Sequence, residues 1–238
     1  MKIGIINSVP VPQVYGGMNR LVDGLSAALS AQHETDVVNL PVDERFEEGV
    51  LKGYFDFYQL DVSAYDSVIS LKSPTYMVRH PVQVCYLPHR MRVFYDLYEP
   101  RDRQHASMRR LIHWMDNWAL APQRIPHVFT VGRTVSRRLL KWGGIASTPI
   151  PHPSTFQPAP PRKGDYFFTC GRRHPWKRFD MLIAAMKRSK TQLPLLISGT
   201  GPQEEELRRM AAGDPRIQFL GHVDEAQLAE YYAGAVAT

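Results

Sequence analysis

Residues 166–187 read YFFTCGRRHPWKRFDMLIAAMK and contain the unit from which the fold can be inferred. The apolar run Tyr166–Cys170 predicts a strand, and Arg178–Lys187 has the spacing of a helix. Between them, Gly171 opens a basic loop at the carboxyl end of the strand. Ligands of open α/β sheets bind at this end of the strands, so the loop is a candidate binding site.

Two basic residues of this loop, Arg172 and Lys177, lie five positions apart. Arginine binds phosphate through forked hydrogen bonds, and lysine acts as a mobile point charge. The pair therefore predicts a diphosphate site. The alternative is a solvated basic loop without a ligand. His174 lies between the two cations and is the one other histidine, besides His89, for which we consider a role.

The same strand-loop-helix pattern extends in both directions along the chain and predicts an α/β fold with parallel sheets. The segment between Leu40 and Ser67 receives no assignment. Upstream, we expect strands at 2–7, 35–40, 67–71, 82–87 and 128–131, and helices at 18–31, 104–121 and 134–142. Downstream, we expect strands at 193–198, 217–220 and 235–237, and helices at 203–212 and 224–232.

A proline-rich segment separates the two groups of elements. Six prolines occur between Pro149 and Pro161, and proline cannot donate a backbone hydrogen bond inside a sheet or a helix. We predict an N-terminal Rossmann-like domain at 1–150, a linker at 151–164 and a C-terminal Rossmann-like domain at 165–238. The last domain has few β-α units, and we expect it to be incomplete.

Composition and charge restrict the class of protein. The chain has 238 residues, of which 44% are hydrophobic and 22% charged, as in ordinary globular proteins and unlike a disordered tail or a disulfide miniprotein. Cys85 and Cys170 both fall in apolar runs, which predicts buried thiols and a reducing compartment. Residues 79–141 hold twelve Lys/Arg against four Asp/Glu. This excess predicts an anionic partner or, alternatively, a solvated basic helix face.

Three further candidate binding features lie where a predicted strand ends and a loop begins. Gly16 and Gly17 precede the first helix, and Gly199 and Gly201 follow the strand at 193–198. Glycines there let the backbone approach a ligand, although compact turns also require them. His89 lies at the tip of a strand, where it can donate a hydrogen bond to a substrate. A lone histidine is more often structural.

Several motifs are absent from the sequence. It contains no P-loop, Asp-x-Asp, His-Glu-x-x-His or Cys-x-x-Cys motif, and so indicates no metal site and no cofactor. It contains no signal peptide pattern and no apolar run of about 20 residues. We therefore expect a cytoplasmic protein.

These motifs, in their order, resemble those of the family 4 retaining glycosyltransferases, which have the two-domain GT-B fold. The strongest likeness lies in the Gly-Arg-x-x-x-x-Lys pattern at 171–177, in the strand-Gly-x-Gly-Pro-helix at 195–207 and in Phe-Leu-Gly at 219–221. The Tyr15-Gly16-Gly17 loop and the neighbourhood of His89, with Met91, Arg92, Tyr95 and Asp96, are weaker matches. The His89 neighbourhood is similar to that of some mannosyltransferases.

The resemblance implies transfer of a hexose from a GDP- or UDP-linked sugar, with retention and without an essential metal. Arg172 and Lys177 are then catalytic and bind the donor diphosphate, together with Gly16, Gly17, Gly199 and Gly201. His89 contacts the transferred sugar, and closure about the linker excludes water. The acceptor is a glycan or a lipid-linked glycan, and the basic N-terminal domain suggests peripheral contact with an anionic membrane.

The sequence also departs from the family. The paired-glutamate motif Glu-x₇-Glu that contacts sugar and ribose in this family has no counterpart before Thr238. A non-catalytic module that binds nucleotide sugars or glycans is therefore the alternative function. An epimerase or phosphorylase needs catalytic groups that we cannot place, and nucleic-acid binding accounts for the charge but not for the glycine and Arg/Lys loops.

Overall fold

The computed structural model describes residues 1–13, 16–98, 106–152, 156–157 and 159–238. Several residues considered in the sequence analysis lie outside these ranges: Tyr15, Glu99, Asp102, the first two residues of the helix predicted at 104–121, and linker residues 153–155 and 158. The chain divides into two compact units, Met1–Thr155 and Phe156–Thr238. Each unit is described by itself.

The described part of the first unit is built on a six-stranded parallel sheet with the order β2-β1-β3-β4-β5-β6. Its strands are β1 (Lys2–Pro10), β2 (Glu34–Val42), β3 (Ser67–Ser70), β4 (Gln83–Leu87), β5 (His127–Thr130) and β6 (Thr148–Pro149). Its helices are α1 (Gly17–Ser30), α2 (Glu47–Gln59), α3 (Ala106–Ala119) and α4 (Arg133–Gly143). Short 3₁₀ turns occur at Thr75–Met77 and Arg92–Phe94.

Helices cover both faces of this sheet. Leu21 and Val22 of α1 pack with Ile5, Leu71 and Tyr86 on one face. The larger core lies on the other face, where α2, α3 and α4 form one layer. The helices contribute Phe57, Ile112, Met115 and Leu139 to this core. The strands contribute Val68, Cys85, Leu87 and Val128. A parallel sheet covered on both faces is the arrangement that the near-continuous apolar strands predict.

Helix α2 is absent from the sequence-based assignment and is a correction to it. Gly49 and Gly53 lower the intrinsic helix propensity of this segment, but the packing requires them. A Cβ atom at Gly49 would lie 2.3 Å from the carbonyl oxygen of Asp43, and one at Gly53 would lie 2.9 Å from Val42. The helix therefore packs more closely against the end of β2 than larger residues would allow.

The second unit repeats the pattern on a smaller scale. Its four-stranded parallel sheet has the order β10-β7-β8-β9, and the bounds are β7 (Tyr166–Cys170), β8 (Leu195–Ser198), β9 (Ile217–Gly221) and β10 (Ala235–Ala237). The helices are α5 (Phe179–Arg188), α6 (Glu204–Ala211) and α7 (Glu225–Ala233). Ile183 and Leu207 pack on one face of the sheet, and Leu228 packs with Phe168 on the other. The α/β prediction with two Rossmann-like sheets is confirmed.

One prediction about an individual side chain is wrong. Cys85 is fully buried, but Cys170 is exposed because β7 ends there and the chain leaves the sheet. On α3, Met108, Ile112 and Met115 face the core, whereas Leu111 and Trp118, which share their helical spacing, are exposed. None of the described helices combines the length and apolar character needed to cross a membrane.

Candidate functional site

The loop that follows β7 has a defined geometry. His174 begins a 3₁₀ turn at Pro175–Lys177, and its Nδ1 accepts a hydrogen bond from the backbone N–H of Trp176 at 3.5 Å. The backbone N–H of Lys177 donates to the carbonyl oxygen of His174 at 2.8 Å. Arg178 then adopts a left-handed conformation, with φ 55°, and α5 begins at Phe179. His174 therefore shapes the turn that carries Lys177.

Arg172 and Lys177 are both exposed in this loop. Within the described ranges, no carboxylate or other side-chain partner forms a hydrogen bond or ion pair with either cation. The neighbouring Arg178 differs, because its guanidinium binds Asp180 through Nε–Oδ1 and Nη2–Oδ2 contacts of 3.1 and 3.0 Å. Two cations on the loop thus keep their charge available for an anion.

Arg173, which the sequence does not distinguish from Arg172, has the opposite environment. Its side chain is fully buried and forms an ion pair with Glu204 at the start of α6. The guanidinium also donates to the carbonyl oxygen of Ile197 at 3.2 Å and lies 5.0 Å from the ring centre of Phe219. Burial lowers the pKa of Arg173, and the charge of Arg208 acts in the same direction. Arg173 holds the loop in place and does not face a ligand.

The loops after β7 and β8 are locked together at Gly199 and Gly201. A Cβ atom at Gly199, where φ is 106°, would lie 2.1 Å from the carbonyl oxygen of Gly171. One at Gly201 would lie 2.5 Å from the carbonyl oxygen of Arg173. The backbone N–H of Arg173 donates to Thr200 at 2.9 Å, and Gln203 donates back to Arg173 at 3.1 Å. The close approach of the two loops therefore explains why both positions are occupied by glycine.

Gly16 and Gly17, in the first unit, have no such packing reason. No described atom outside the adjoining residues lies within 4 Å of a Cβ built at either position. Gly16 is extended, and its N–H donates to the side-chain oxygen of Asn19 at 3.0 Å. Among the described residues, the two glycines leave open space at the N-terminus of α1, and a ligand at this position stays a prediction.

His89 follows β4 at the carboxyl edge of the first sheet. Its Nδ1 lies 2.9 Å from the carbonyl oxygen of Arg90, and because a carbonyl only accepts, Nδ1 carries the proton. Desolvation of the ring lowers the pKa of His89, and the charges of Lys72 and Arg92 add to this effect. The neutral ring therefore presents Nε2 as an acceptor. A donor role for Nε2, as the sequence predicts, requires the protonated ring.

The surroundings of His89 are compact. It lines a cavity of about 20 Å³ together with Arg92, Asp96, Arg138 and Trp142, which is room for roughly one water molecule. Asp96 forms ion pairs with Arg92 at 2.8 Å and with Arg138 at 3.1 Å. Burial opposes ionisation of Asp96, but the two guanidiniums hold its pKa below the usual range.

A buried polar network lies next to this cavity, and no local sequence pattern predicts it. The carboxylate of Asp116, fully buried on α3, accepts hydrogen bonds from Tyr54, Tyr76 and Tyr95 at 2.5, 2.5 and 2.6 Å. Burial and the charge of Asp116 raise the pKa of all three tyrosines. Arg90, buried beside the ring of Tyr95, supplies the positive charge. The network fixes the segment that presents His89.

The candidate residues thus fall into two groups. Two neighbouring loops of the second unit contain Arg172, Lys177, Gly199 and Gly201. The carboxyl edge of the sheet in the first unit carries Gly16, Gly17 and His89. The described residues include no group of three or more His, Cys, Asp or Glu side chains that could hold a metal ion.

Comparison with solved structures identifies the fold. Structures of HepE (Alr3699) from Anabaena are similar to this chain: the complex with UDP and glucose has a TM-score of 0.59 at 13% sequence identity, over 94% of this chain and 70% of that one. The complex with UDP-glucose has a TM-score of 0.58 at 15% identity, with the same coverage. No curated protein sequence matches the chain.

A family model matches the second unit. Residues 164–237, which span β7 to β10 and both interlocked loops, match the model for glycosyl transferases, group 1. The loop with Arg172 and Lys177 lies inside the matched segment. By fold the chain is similar to GT-B glycosyltransferases, and its second unit matches the sequence model of glycosyl transferases of group 1.

Proposed function

We propose that this protein transfers a hexose from a nucleotide-diphosphate sugar to a glycan or lipid-linked acceptor, with retention at the anomeric carbon. The observation that carries the proposal is the pair of exposed cations Arg172 and Lys177 at the carboxyl end of β7, neither of which has a side-chain partner among the residues that the structure describes. The two cations lie within the segment that matches glycosyl transferases of group 1.

The chemistry of transfer explains why such a pair is useful. When the bond between sugar and diphosphate breaks, negative charge accumulates on the leaving diphosphate oxygens. Preorganised cations stabilise this charge more in the transition state than in the bound donor, which lowers the barrier. Arg172 would bind two oxygens through its forked N–H groups, and Lys177 would supply a third contact.

The residues of the first unit have separate roles in the proposal. The open space at Gly16 and Gly17 lets the backbone N–H groups at the start of α1 approach a phosphate, and the helix dipole favours negative charge there. His89 accepts a hydrogen bond from a sugar hydroxyl through Nε2. The carbonyl oxygen of Arg90 holds the tautomer in which Nε2 is free of a proton.

Two arguments bear on the donor nucleotide. UDP and UDP-glucose are bound in the structures of Anabaena HepE, which supports a uridine donor. The His89 neighbourhood resembles that of mannosyltransferases, which favours GDP-mannose. A thermal-shift panel with UDP, GDP, UDP-glucose and GDP-mannose decides between them, because a ligand that binds the native state raises its apparent stability.

The test compares the wild-type protein with Arg172→Ala, Lys177→Ala and the matched control Arg188→Ala, an exposed basic residue at the end of α5. We expect one nucleotide to raise the melting temperature of the wild type and of the control but not of the two loop variants. All variants should melt at the same temperature without ligand. A shift that survives in both loop variants would contradict the proposal.

A binding module without turnover is the second candidate function. It is favoured by the exposed cations Arg172 and Lys177, which would bind a diphosphate whether or not the sugar is then transferred. Release of free nucleoside diphosphate from the donor that gives the thermal shift distinguishes the two functions. Binding without release, in the presence of glycan and lipid-linked acceptors, would support the binding module.

A further inference from the structure

The outer surface of the helical layer in the first unit carries apolar side chains that the core does not use. On α3, Leu111, Trp114 and Trp118 are 40%, 64% and 37% exposed. Their spacing of three and four residues places them along one side of the helix, at the solvent-exposed margin of the stripe that contains the buried Ile112 and Met115. Exposed apolar stripes on soluble proteins commonly mark interaction surfaces.

The neighbouring helix α4 presents positive charge. Arg133, Arg137 and Lys141 recur every four residues and are all exposed, and Leu140 beside them is 61% exposed. Within the described ranges, no carboxylate forms an ion pair with any of these three cations. The rings of Trp142 on α4 and His113 on α3 lie 5.9 Å apart, so the two helices are adjacent.

Further contacts join aromatic and basic groups on the other side of α3. The guanidinium of Arg124 lies 3.8 Å from the ring centre of Trp118. Trp118 lies 5.9 Å from Tyr58 on α2, and the guanidinium of Arg79 lies 4.7 Å from that tyrosine. Two arginines and two aromatic rings therefore pack side by side where α3 meets α2.

The two described acidic residues of the segment 79–141, Asp96 and Asp116, form no ion pair with the three exposed cations of α4. Of the four between positions 79 and 141, Glu99 and Asp102 lie outside the described ranges. Asp116 is fully buried among the tyrosines, and Asp96 is engaged by Arg92 and Arg138. Among the described residues, the basic excess of the segment is thus displayed on the outside of the layer, while the carboxylates point inward or are paired.

We propose that this surface docks on an anionic lipid bilayer. The docking surface is defined by exposed side chains of α3 and α4: Leu111, Trp114, Trp118, Arg133, Arg137, Leu140 and Lys141. The inference deepens the proposed function, because a membrane-bound enzyme meets a lipid-linked acceptor in two dimensions.

The mixture of side chains favours a bilayer over nucleic acid. Arginine and lysine attract anionic headgroups, and tryptophan prefers the boundary between headgroups and acyl chains. Leu111 and Leu140 gain by entering the acyl region but gain nothing from a phosphate backbone. A helical layer with basic and aromatic groups on one side is the usual form of an interfacial membrane contact.

The experiment measures co-sedimentation of the full chain with vesicles of phosphatidylcholine alone and with vesicles containing equal parts of phosphatidylglycerol. We expect binding to the anionic vesicles only, weakened by salt. Arg133→Gln, Arg137→Gln and Lys141→Gln combined should weaken it on the order of 100-fold, roughly fivefold for each charge removed. Trp114→Ser should also weaken binding and reduce the blue shift of tryptophan fluorescence on vesicle addition, with Trp118 accounting for the remainder.

Matched controls come from the second unit. The triple variant Lys163→Gln, Arg188→Gln and Lys190→Gln removes the same charge from exposed positions, and Trp176→Ser removes a tryptophan that is 63% exposed. Both should bind vesicles as the wild type does. Equal weakening by the controls, binding to neutral vesicles alone, or binding to duplex DNA but not to vesicles would overturn the inference. The nucleotide thermal shift should persist in every docking-surface variant, so that failure of this inference and failure of the proposed function are distinguishable.

Discussion

The guanidinium of Arg173 and the carboxylate of Glu204 form an ion pair that links the loop after β7 to the start of α6. Arg173 is fully buried, whereas Glu204 remains one-third exposed and also pairs with Arg208 at 2.7 Å. The pair therefore positions the loop that displays Arg172. Of the two neighbouring arginines, Arg173 is buried and holds the loop, whereas Arg172 is exposed to solvent.

Replacement of the buried arginine should destabilise the second unit while the exposed Arg172 and Lys177 remain in place. We expect Arg173→Met to lower the free energy of unfolding by about 2 kcal/mol, because the carboxylate and the carbonyl of Ile197 lose their donor. Arg172→Met, at an exposed position, should change it by less than about 0.5 kcal/mol. Urea denaturation of both variants checks the difference, and equal effects would contradict the assignment.

The four candidate glycines should separate into two classes. Gly199→Ala and Gly201→Ala should each cost about 1–3 kcal/mol of stability, because a Cβ atom would meet the backbone of Gly171 or Arg173. Gly16→Ala and Gly17→Ala meet open space and should leave stability within about 0.5 kcal/mol of the wild type. Under the proposed function, the second pair should instead weaken nucleotide-sugar binding. Calorimetry of unfolding and ligand titration measure the two effects separately.

The buried carboxylate of Asp116 should contribute strongly to the stability of the first unit. Asp116→Asn leaves the positive charge of Arg90 uncompensated and weakens the hydrogen bonds from three tyrosines, at an expected cost of about 3 kcal/mol. Asp96→Asn removes a more exposed ion-paired carboxylate and should cost no more than about 1 kcal/mol. Chemical denaturation of the two variants provides the comparison. A smaller effect at Asp116 than at Asp96 would refute the role of the network.

The first unit should lose stability at mildly acidic pH through His113. Its ring stacks on Tyr95 at 4.1 Å, and Nε2 lies 2.7 Å from the carbonyl oxygen of Phe94. Burial lowers the pKa of His113 from the usual 6.5, with Arg109 adding to the effect. The unfolded chain therefore binds a proton at higher pH than the native state does. Stability is complete above about pH 6.5 and falls as the pH drops below it.

The variant His113→Gln should flatten this pH dependence. Because the pKa of His89 is lowered in the same direction, the double variant with His89→Gln should flatten it further. Denaturation midpoints between neutral and mildly acidic pH are the measurement. A profile for His113→Gln as steep as that of the wild type would show that other groups control it.

Local patterns in the sequence are sufficient for most of the fold. Apolar runs bounded by glycine and proline identify the strands on either side of the linker, and helical spacing identifies α1, α3 and α4. The pattern fails at α2, where Gly49 and Gly53 mask a helix whose close packing on β2 becomes visible only in three dimensions.

The candidate site is less accessible to such reasoning, because the decisive contacts join distant positions. Arg172 and Arg173 are adjacent and chemically identical, and only the encounter with Glu204, 31 positions away, separates an exposed cation from a buried one. The hydrogen bond from Tyr54 to Asp116 spans 62 positions. The sequence around Tyr54 or Asp116 does not indicate that the two residues will meet. The polar network next to His89 could therefore not be predicted.

The interlock between the loops after β7 and β8 has a consequence for engineering. Because Gly199 and Gly201 fit against the backbone of Gly171 and Arg173, a graft that replaces either loop alone would introduce a mismatch at the shared boundary. Attempts to transplant these loops from a protein of similar fold should therefore exchange residues 171–178 and 199–204 as a single cassette.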